Sequence, residues 1–237
     1  MKTEGRNAVL ELLKTDKTVE KILIEKNPRG SLEKIFAEAR RKGVRVQFVD
    51  KKALDRESAE KKHQGVLAFC SDYAYSTLDE ILAAGADGDG LIVLCDGIED
   101  VHNLGSIIRV AECVGADGVI IPTNNSASVT EAVIRISAGA AEHMRIAKVN
   151  SINRAVDELK KSGYWLYALE ADGESIYGKD LSGKVALVIG GEDSGVKKLT
   201  REKCDFTVSL PIKGKVNSLN ASVALGVAAY EVLRRRI

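Results

Sequence analysis

Residues 217–231 read NSLNASVALGVAAYE. From Leu219 onward the stretch is apolar on nearly every side and dense in small residues: Ala221, Ser222, Ala224, Gly226, Ala228 and Ala229. A helix apolar all round is a buried helix, and these side chains let its backbone pack very close to a neighbour. Yet it opens with three hydrogen-bonding side chains, Asn217, Ser218 and Asn220. The first turn of a helix has free backbone N–H groups, and a cap at Asn217 or Ser218 would satisfy some of them. Three polar groups exceed what one cap needs. The surplus, Asn220 above all, is expected to face a ligand or another motif.

The runs before this helix set the fold class. LIVLCD (91–96), GVIIP (118–122), MRIAKV (144–149), YWLYALE (164–170), VALVIGG (185–191) and FTVSL (206–210) are Val-, Ile- and Leu-rich with little polar alternation. Strands buried on both faces look like this, so the sheet is expected to be mostly parallel and covered by helices. Helical spacing falls near 78–84, 104–115, 128–138, 151–162, 196–203 and 219–235. In such α/β folds ligands sit beyond the carboxyl ends of strands, which points to the loops after 91–96, 185–191 and 206–210.

A smaller α/β unit precedes this one. NAVLELLKT and SLEKIFAEARRKG have helical spacing, with Ser31 as the expected N-cap and Gly43 past the end of the second helix. VEKILIE, VRVQFVD and GVLAFCS read as strands. SDYAYS (71–76) is short and polar and reads as the join. The division is a domain over 1–72, a linker over 73–78 and a larger domain over 79–237.

The 237 residues are 45% apolar and 29% charged, a globular balance able to form a sizeable core. Net charge is +1 but uneven. Residues 1–76 hold 17 Lys and Arg against 12 Asp and Glu, and the remainder hold 18 against 22. The basic half suits a polyanionic partner, or is simply a solvated surface. The four cysteines, at 70, 95, 113 and 204, lack C-x-x-C spacing and a His cluster, so no metal site is expected. No run of 18 apolar residues and no leader pattern occurs, and a cytoplasmic protein with no membrane span is expected.

Motifs occupy the three loops. After the first strand of the larger domain comes GIEDVHNLGSIIRVAE, with Asn103, Gly105 and Arg109 at a strand-to-helix turn. An arginine near a helix N-terminus opposes the macrodipole, and a phosphate would relieve that. A snorkelling arginine, or one paired with Asp96, Glu99 or Asp100, is the other reading. After VALVIGG comes EDSG, so that Gly190, Gly191 and Gly195 bracket Glu192, Asp193 and Ser194. It is neither a G-x-G-x-x-G fingerprint nor a P-loop; a tight turn is its most frequent explanation. After FTVSL, Pro211 ends the strand and Gly214 permits a sharp loop.

Together the three runs resemble the SpoU/TrmH family of RNA 2′-O-ribose methyltransferases. The match is N-x-G-x-x-x-R at Asn103, Gly105 and Arg109, then G-x-E-x-x-G at Gly190, Glu192 and Gly195, then P-x-x-G-x-x-x-S-L-N at Pro211, Gly214, Ser218, Leu219 and Asn220. SAGAAEHMRI (137–146) is similar to the family's middle region, and GRNAVLELL and KKHQGVLAF (61–69) are similar to its RNA-binding front domain. Val101, Ile212, Asn217 and Ala221 depart from residues common in the family.

The resemblance implies an α/β parallel-sheet catalytic domain with a C-terminal trefoil knot, a topology otherwise nearly absent from proteins. It implies a homodimer and the cofactor S-adenosylmethionine, held by backbone near Gly190, Leu210 and Leu219. The implied substrate is RNA, with a guanosine ribose of large-subunit ribosomal RNA as the closest subgroup. Arg109 is implied nearest the ribose hydroxyl, with Asn103, Glu192, Ser218 and Asn220 as the surrounding hydrogen-bond net, and no metal. Lys61, Lys62, His63, Arg40 and Arg41 are the expected phosphate contacts of the front domain. The alternatives are a tRNA methyltransferase, a non-catalytic ribosome-assembly protein that kept the fold, and a nucleotide-dependent oxidoreductase. The missing dinucleotide fingerprint argues against the last.

Overall fold

The computed structural model describes residues 2–15, 18–58, 61–71, 73–86, 88–192 and 194–237. The chain forms two compact units, Met1–Ala74 and Tyr75–Ile237.

The first unit runs β1 (Lys2–Glu4), α1 (Arg6–Leu12), β2 (Thr18–Glu25), α2 (Ser31–Arg41), β3 (Arg45–Val49), α3 (Lys51–Glu57) and β4 (Val66–Ser71). The sheet order is β1-β4-β2-β3, with β2 parallel to β3 and β4 antiparallel to both of its neighbours. Alternation along β2 sends Ile22 and Ile24 to a core shared with Leu13 of the turn after α1 and with Ile35 of α2. Leu23 points the other way, to Leu67 of β4 and Leu54 of α3. Neither β1 nor α3 shows in the hydrophobic pattern, because three residues carry no period and α3 has a single buried apolar anchor, Leu54. Ser31 is not the N-cap of α2. Gly30 holds that place at φ 62°, a left-handed conformation that a serine side chain disfavours, and no side chain caps the helix.

The second unit runs α4 (Leu78–Ala84), β5 (Leu91–Asp96), α5 (Val101–Cys113), β6 (Gly118–Pro122), α6 (Glu131–Ile136), β7 (Ile146–Val149), α7 (Ile152–Lys161), β8 (Trp165–Ser175), β9 (Val185–Gly190), α8 (Lys198–Lys203), β10 (Phe206–Ser209) and α9 (Ala221–Arg234). Its six strands lie in the order β10-β8-β9-β5-β6-β7, and every pairing is parallel. Every residue of β5, β6 and β9 is buried, as their unbroken apolar runs require. Ile92, Leu94, Val188 and Leu166 join Val156 and Leu159 of α7 in the core. β8 extends beyond its apolar run because the polar tail pairs with β10, Glu174 opposite Val208 and Ser175 opposite Ser209.

Two helices differ from their expected form. α5 begins at Val101, so Arg109 lies in its third turn, where the macrodipole argument for a phosphate loses its force, since that effect is confined to the end turns. α9 buries Leu225, Ala228, Ala229 and Val232, yet Val223, Val227 and Tyr230 are exposed on another face. Among the described residues no helix is long and apolar enough to cross a membrane, and no group of three or more His, Cys, Asp or Glu could hold a metal ion.

Candidate functional site

A cleft of about 420 Å³ opens at the ends of β9 and β10, beside the middle of β8. Leu169 and Glu170 come from β8, Ile189 and Gly190 from β9, Ser209 and Leu210 from the end of β10. Leu219, Asn220 and Ala221 close it from the mouth of α9. A second cleft of about 280 Å³ lies beside Gly97, Asp100 and Asn103, and the two share Gly191 and Glu192. Both volumes are of the size that holds a small molecule or part of one.

Glu192 is the wall between them, and amides hold it there. Its Oε1 accepts a short hydrogen bond from Asn103 Nδ2, and a second at 3.2 Å from Asn220 Nδ2. Asn220 Nδ2 also donates to Asn103 Oδ1 at 2.8 Å. The three motifs are therefore stitched by three side chains that lie far apart along the chain. Asn220 also caps the helix behind it, since its Oδ1 accepts from Ser222 N at 3.0 Å, Val223 N at 3.3 Å and Ser222 Oγ at 2.7 Å. The N-cap of α9 is thus Asn220, not Asn217 or Ser218. One amide caps with its oxygen and reaches the net with its nitrogen, which fixes which way it faces.

Gly190 stands where β9 turns into the loop. A Cβ there would lie 1.9 Å from the carbonyl carbon of Gly195, so the loop closes onto bare backbone. Gly105 serves packing instead: a Cβ would lie 2.6 Å from Ile136 Cγ2, where α5 crosses α6.

Two carboxylates outside the three motifs brace this loop. Asp96, fully buried at the end of β5, accepts from Lys197 N at 3.1 Å and Lys197 Nζ at 3.0 Å. Glu170 accepts from Val196 N. The signal for both is an acid ending an apolar strand run, LIVLCD and YWLYALE. Burial, aided by the charge of Asp96, pushes the Cys95 thiol up to about 12, so it is no nucleophile at neutral pH.

Gly190, Leu210, Leu219, Glu192, Ser218 and Asn220 all line the larger cleft, and Asn103 lines the smaller. Arg109 lines neither. It is exposed, and no hydrogen bond or ion pair joins its guanidinium to another described residue. Asp96 and Asp100 are not its partners, since Asp96 holds Lys197 and Asp100 caps α5 through His102 N. Asp193 lies outside the described residues. In the first unit Arg40, Arg41, Lys61 and Lys62 are exposed, with Arg41 paired to Glu38 at 2.5 Å. His63 is a correction. It is 3% exposed, its Nδ1 accepts from Gly65 N at 3.0 Å and its Nε2 lies 3.0 Å from Asp55 Oδ1. Both ring nitrogens are used inside the fold, so none is left for a phosphate.

Residues 90–230 match the model of the SpoU rRNA methylase family. The chain belongs to that family. Residues 3–76 match the RNA 2′-O ribose methyltransferase substrate-binding domain. YacO of Bacillus subtilis, named for the TrmH family of tRNA/rRNA methyltransferases, is 39% identical over 236 residues, 98% of this chain and 94% of YacO. Among solved structures, the SpoU methyltransferase AviRb from Streptomyces viridochromogenes, in complex with the cofactor AdoMet, aligns over 100% of this chain and 90% of its own. Its TM-score is 0.64 at 24% identity, a likeness of fold. The A. aeolicus TrmH/SpoU tRNA modifying enzyme aligns over 67% of this chain and 80% of its own, with TM-score 0.58 and 28% identity. The fold is the SPOUT type of α/β parallel sheet, and the activity class is RNA 2′-O-ribose methylation. Relatives named for both tRNA and rRNA leave the RNA class as RNA.

Proposed function

We propose that this protein transfers a methyl group from S-adenosylmethionine to a ribose 2′-hydroxyl of RNA, and that a guanosine of large-subunit ribosomal RNA is the target. The larger cleft carries the reading. It joins bare backbone at Gly190, strand-end backbone at Leu210 and an apolar rim at Ile212 and Leu219, which are 40% and 46% exposed. Such a surface suits a ligand with a flat apolar ring and a polar tail. Gly190, Leu210 and Leu219 hold it there. When bound, the donor supplies a methyl group already activated by positive sulfur, so no metal is required.

The chain's own residues supply alignment. Asn103, Glu192, Ser218 and Asn220 form the polar wall against which the ribose is set. Arg109 binds the adjacent phosphate and orients the hydroxyl. A guanidinium does not give up its proton, so Arg109 is a positioning group rather than a base. Because it stands outside both clefts of its own chain, a homodimer formed through the open face of α9, at Val223, Val227 and Tyr230, delivers it to the site. The SPOUT fold implies a knot through the segment between β10 and α9, and the hydrogen bonds of Asn220 to Asn103 and Glu192 hold this mouth in place. The first unit brings the RNA, with Lys61, Lys62, Arg40 and Arg41 on its phosphates, and the catalytic unit begins at Tyr75 rather than after a linker over 73–78.

Arg109→Ala is the test. The variant keeps its affinity for S-adenosylmethionine by calorimetry and loses methylation by about 100-fold or more, the scale of lost positioning. Methylation at the wild-type rate would remove Arg109 from the mechanism. Mapping the labelled ribose on ribosomal RNA against tRNA decides the target.

A further inference from the structure

A row of side chains crosses all four strands of the N-terminal sheet in register. Lys2 of β1 is opposite Phe69 of β4, Phe69 is opposite Lys21 of β2, and Lys21 is opposite Arg45 of β3. Alternation along each strand puts the row on the face that holds Leu23 and Leu67. There Leu54 of α3 covers Leu23 and Leu67, with Phe69 only partly buried at the margin. Lys2 and Arg45 are exposed, and Lys21 is half-buried.

The charges in this row are not what folding asks for. Lys21 and Arg45 are like charges directly opposite one another, an arrangement that destabilises a sheet. Neither forms an ion pair with a described residue. Lys21 rests its ammonium 4.3 Å from the centroid of the Phe69 ring, and Lys2 lies 5.3 Å from it. Two carboxylates near this row have other partners: Glu57 pairs with Lys2 at 2.7 Å while also feeling the charge of Lys21, and Glu4 accepts from Ser58 Oγ at 2.5 Å. What remains is a half-buried aromatic ring under Lys21, with Arg45 opposite that lysine on the next strand and neither cation in an ion pair with a described residue.

We propose that this row is a docking platform for single-stranded RNA, Phe69 stacking one base while Lys21 and Arg45 take flanking phosphates. The inference rests on the reading of the chain as an RNA enzyme, and it names the surface that grips the substrate. Unpaired bases stacked on aromatic side chains, beside cations that follow the backbone, are the usual chemistry of single-strand recognition. Charge complementarity selects this occupant, because an anion relieves the Lys21–Arg45 opposition and a neutral protein surface does not. Releasing Lys21 from the ring forfeits a half-buried cation–π contact, which stacking of a base on the same ring and pairing of the ammonium with a phosphate offset.

The experiment measures fluorescence anisotropy of a labelled unpaired RNA oligomer, and of a blunt duplex of equal length, against salt. The proteins are the full chain, Lys21→Gln/Arg45→Gln, Phe69→Leu and Phe69→Tyr. The double variant lowers the slope of log affinity against log salt by about 1.4, about 0.7 for each single-strand phosphate no longer neutralised. Phe69→Leu keeps an apolar side chain under α3 and loses about tenfold in affinity for the unpaired strand, while Phe69→Tyr restores it. Affinity for S-adenosylmethionine stays at the wild-type value in all three, and the double variant melts no lower than the wild type because the like-charge opposition is gone. An unchanged slope in the double variant, wild-type affinity in Phe69→Leu, or an equal loss on the duplex overturns the platform. If the variants bind as the wild type does while the wild type methylates RNA, the platform alone fails. A wild type that neither binds nor methylates any RNA sinks the enzyme reading and the platform with it.

Discussion

Asn220 carries two loads, and substitutions can separate them. Asn220→Ala removes the cap from Ser222 N and Val223 N, a loss of about 1 kcal/mol for a typical N-cap. It also strips the donor from Asn103 Oδ1, on a side chain only 4% exposed. A buried polar atom left without a partner costs about 1–3 kcal/mol. The two together come to about 2–4 kcal/mol. At about 2–4 °C per kcal/mol for a domain of this size, the melting point falls by about 4–16 °C. Asn220→Ser keeps an oxygen of equal capping quality and loses the amide N–H that reaches Asn103 Oδ1. It therefore melts about 2–4 °C above Asn220→Ala and below the wild type. Far-UV circular dichroism melts of the three proteins decide it. If serine and alanine melt together, the cap contributes nothing. If alanine melts within a degree or so of the wild type, the amide net does not hold the mouth of α9, and the account of the site fails with it.

Three further outcomes follow from the same geometry. Gly190→Ala drives a methyl group into the Gly195 carbonyl carbon, 1.9 Å away; overpacking of this kind costs about 1–3 kcal/mol or more, and calorimetry should show affinity for S-adenosylmethionine reduced at least tenfold. Glu231 is held down to about 2, first by its hydrogen bond from Arg234 and next, against the cost of burial, by that from Arg235. A depressed carboxylate contributes stability that is full above its unfolded value of 4.5 and is lost as pH falls towards 2. The melting-point gap between wild type and Glu231→Gln should therefore close over that window, and a constant gap would refute the assignment. His63→Ala leaves Gly65 N and Asp55 without their partner and should cost about 1–3 kcal/mol of N-terminal domain stability. Its salt slope for RNA should match the wild type, because a buried ring touches no phosphate; a reduced slope would reinstate it as a phosphate ligand.

The larger domain is readable wherever one physical cause dominates. LIVLCD, GVIIP and VALVIGG have no polar alternation because both sheet faces are covered, and each is a fully buried strand. The start of α5 lies ahead of its expected place because Asp100, rather than the apolar period, sets it through His102 N. Short elements such as β1 and α3 carry too few residues for a period and exist through pairing with β4 and the packing of Leu54. At the clefts, glycine and asparagine spacing marks the loops that line them, yet Asp96 and Glu170 look like ordinary acids at the end of an apolar run. Nothing local distinguishes an acid facing water from one bracing a loop, and Asp96 finds Lys197 only 101 residues further on.

The sequence by itself determined the repertoire: which runs must be buried, where strands give way to helices, and which three loops hold the glycine, asparagine and acidic residues that line the clefts. Those follow from side-chain period and backbone preference, which act over a few residues. Only the tertiary structure decided who meets whom. Asn103 reaches Glu192 across 89 positions and Asn220 across 117, and Lys2, Phe69, Lys21 and Arg45 share a row through strand order and register alone. Register is a property of paired chains, and a shift of one residue sends every side chain to the other face.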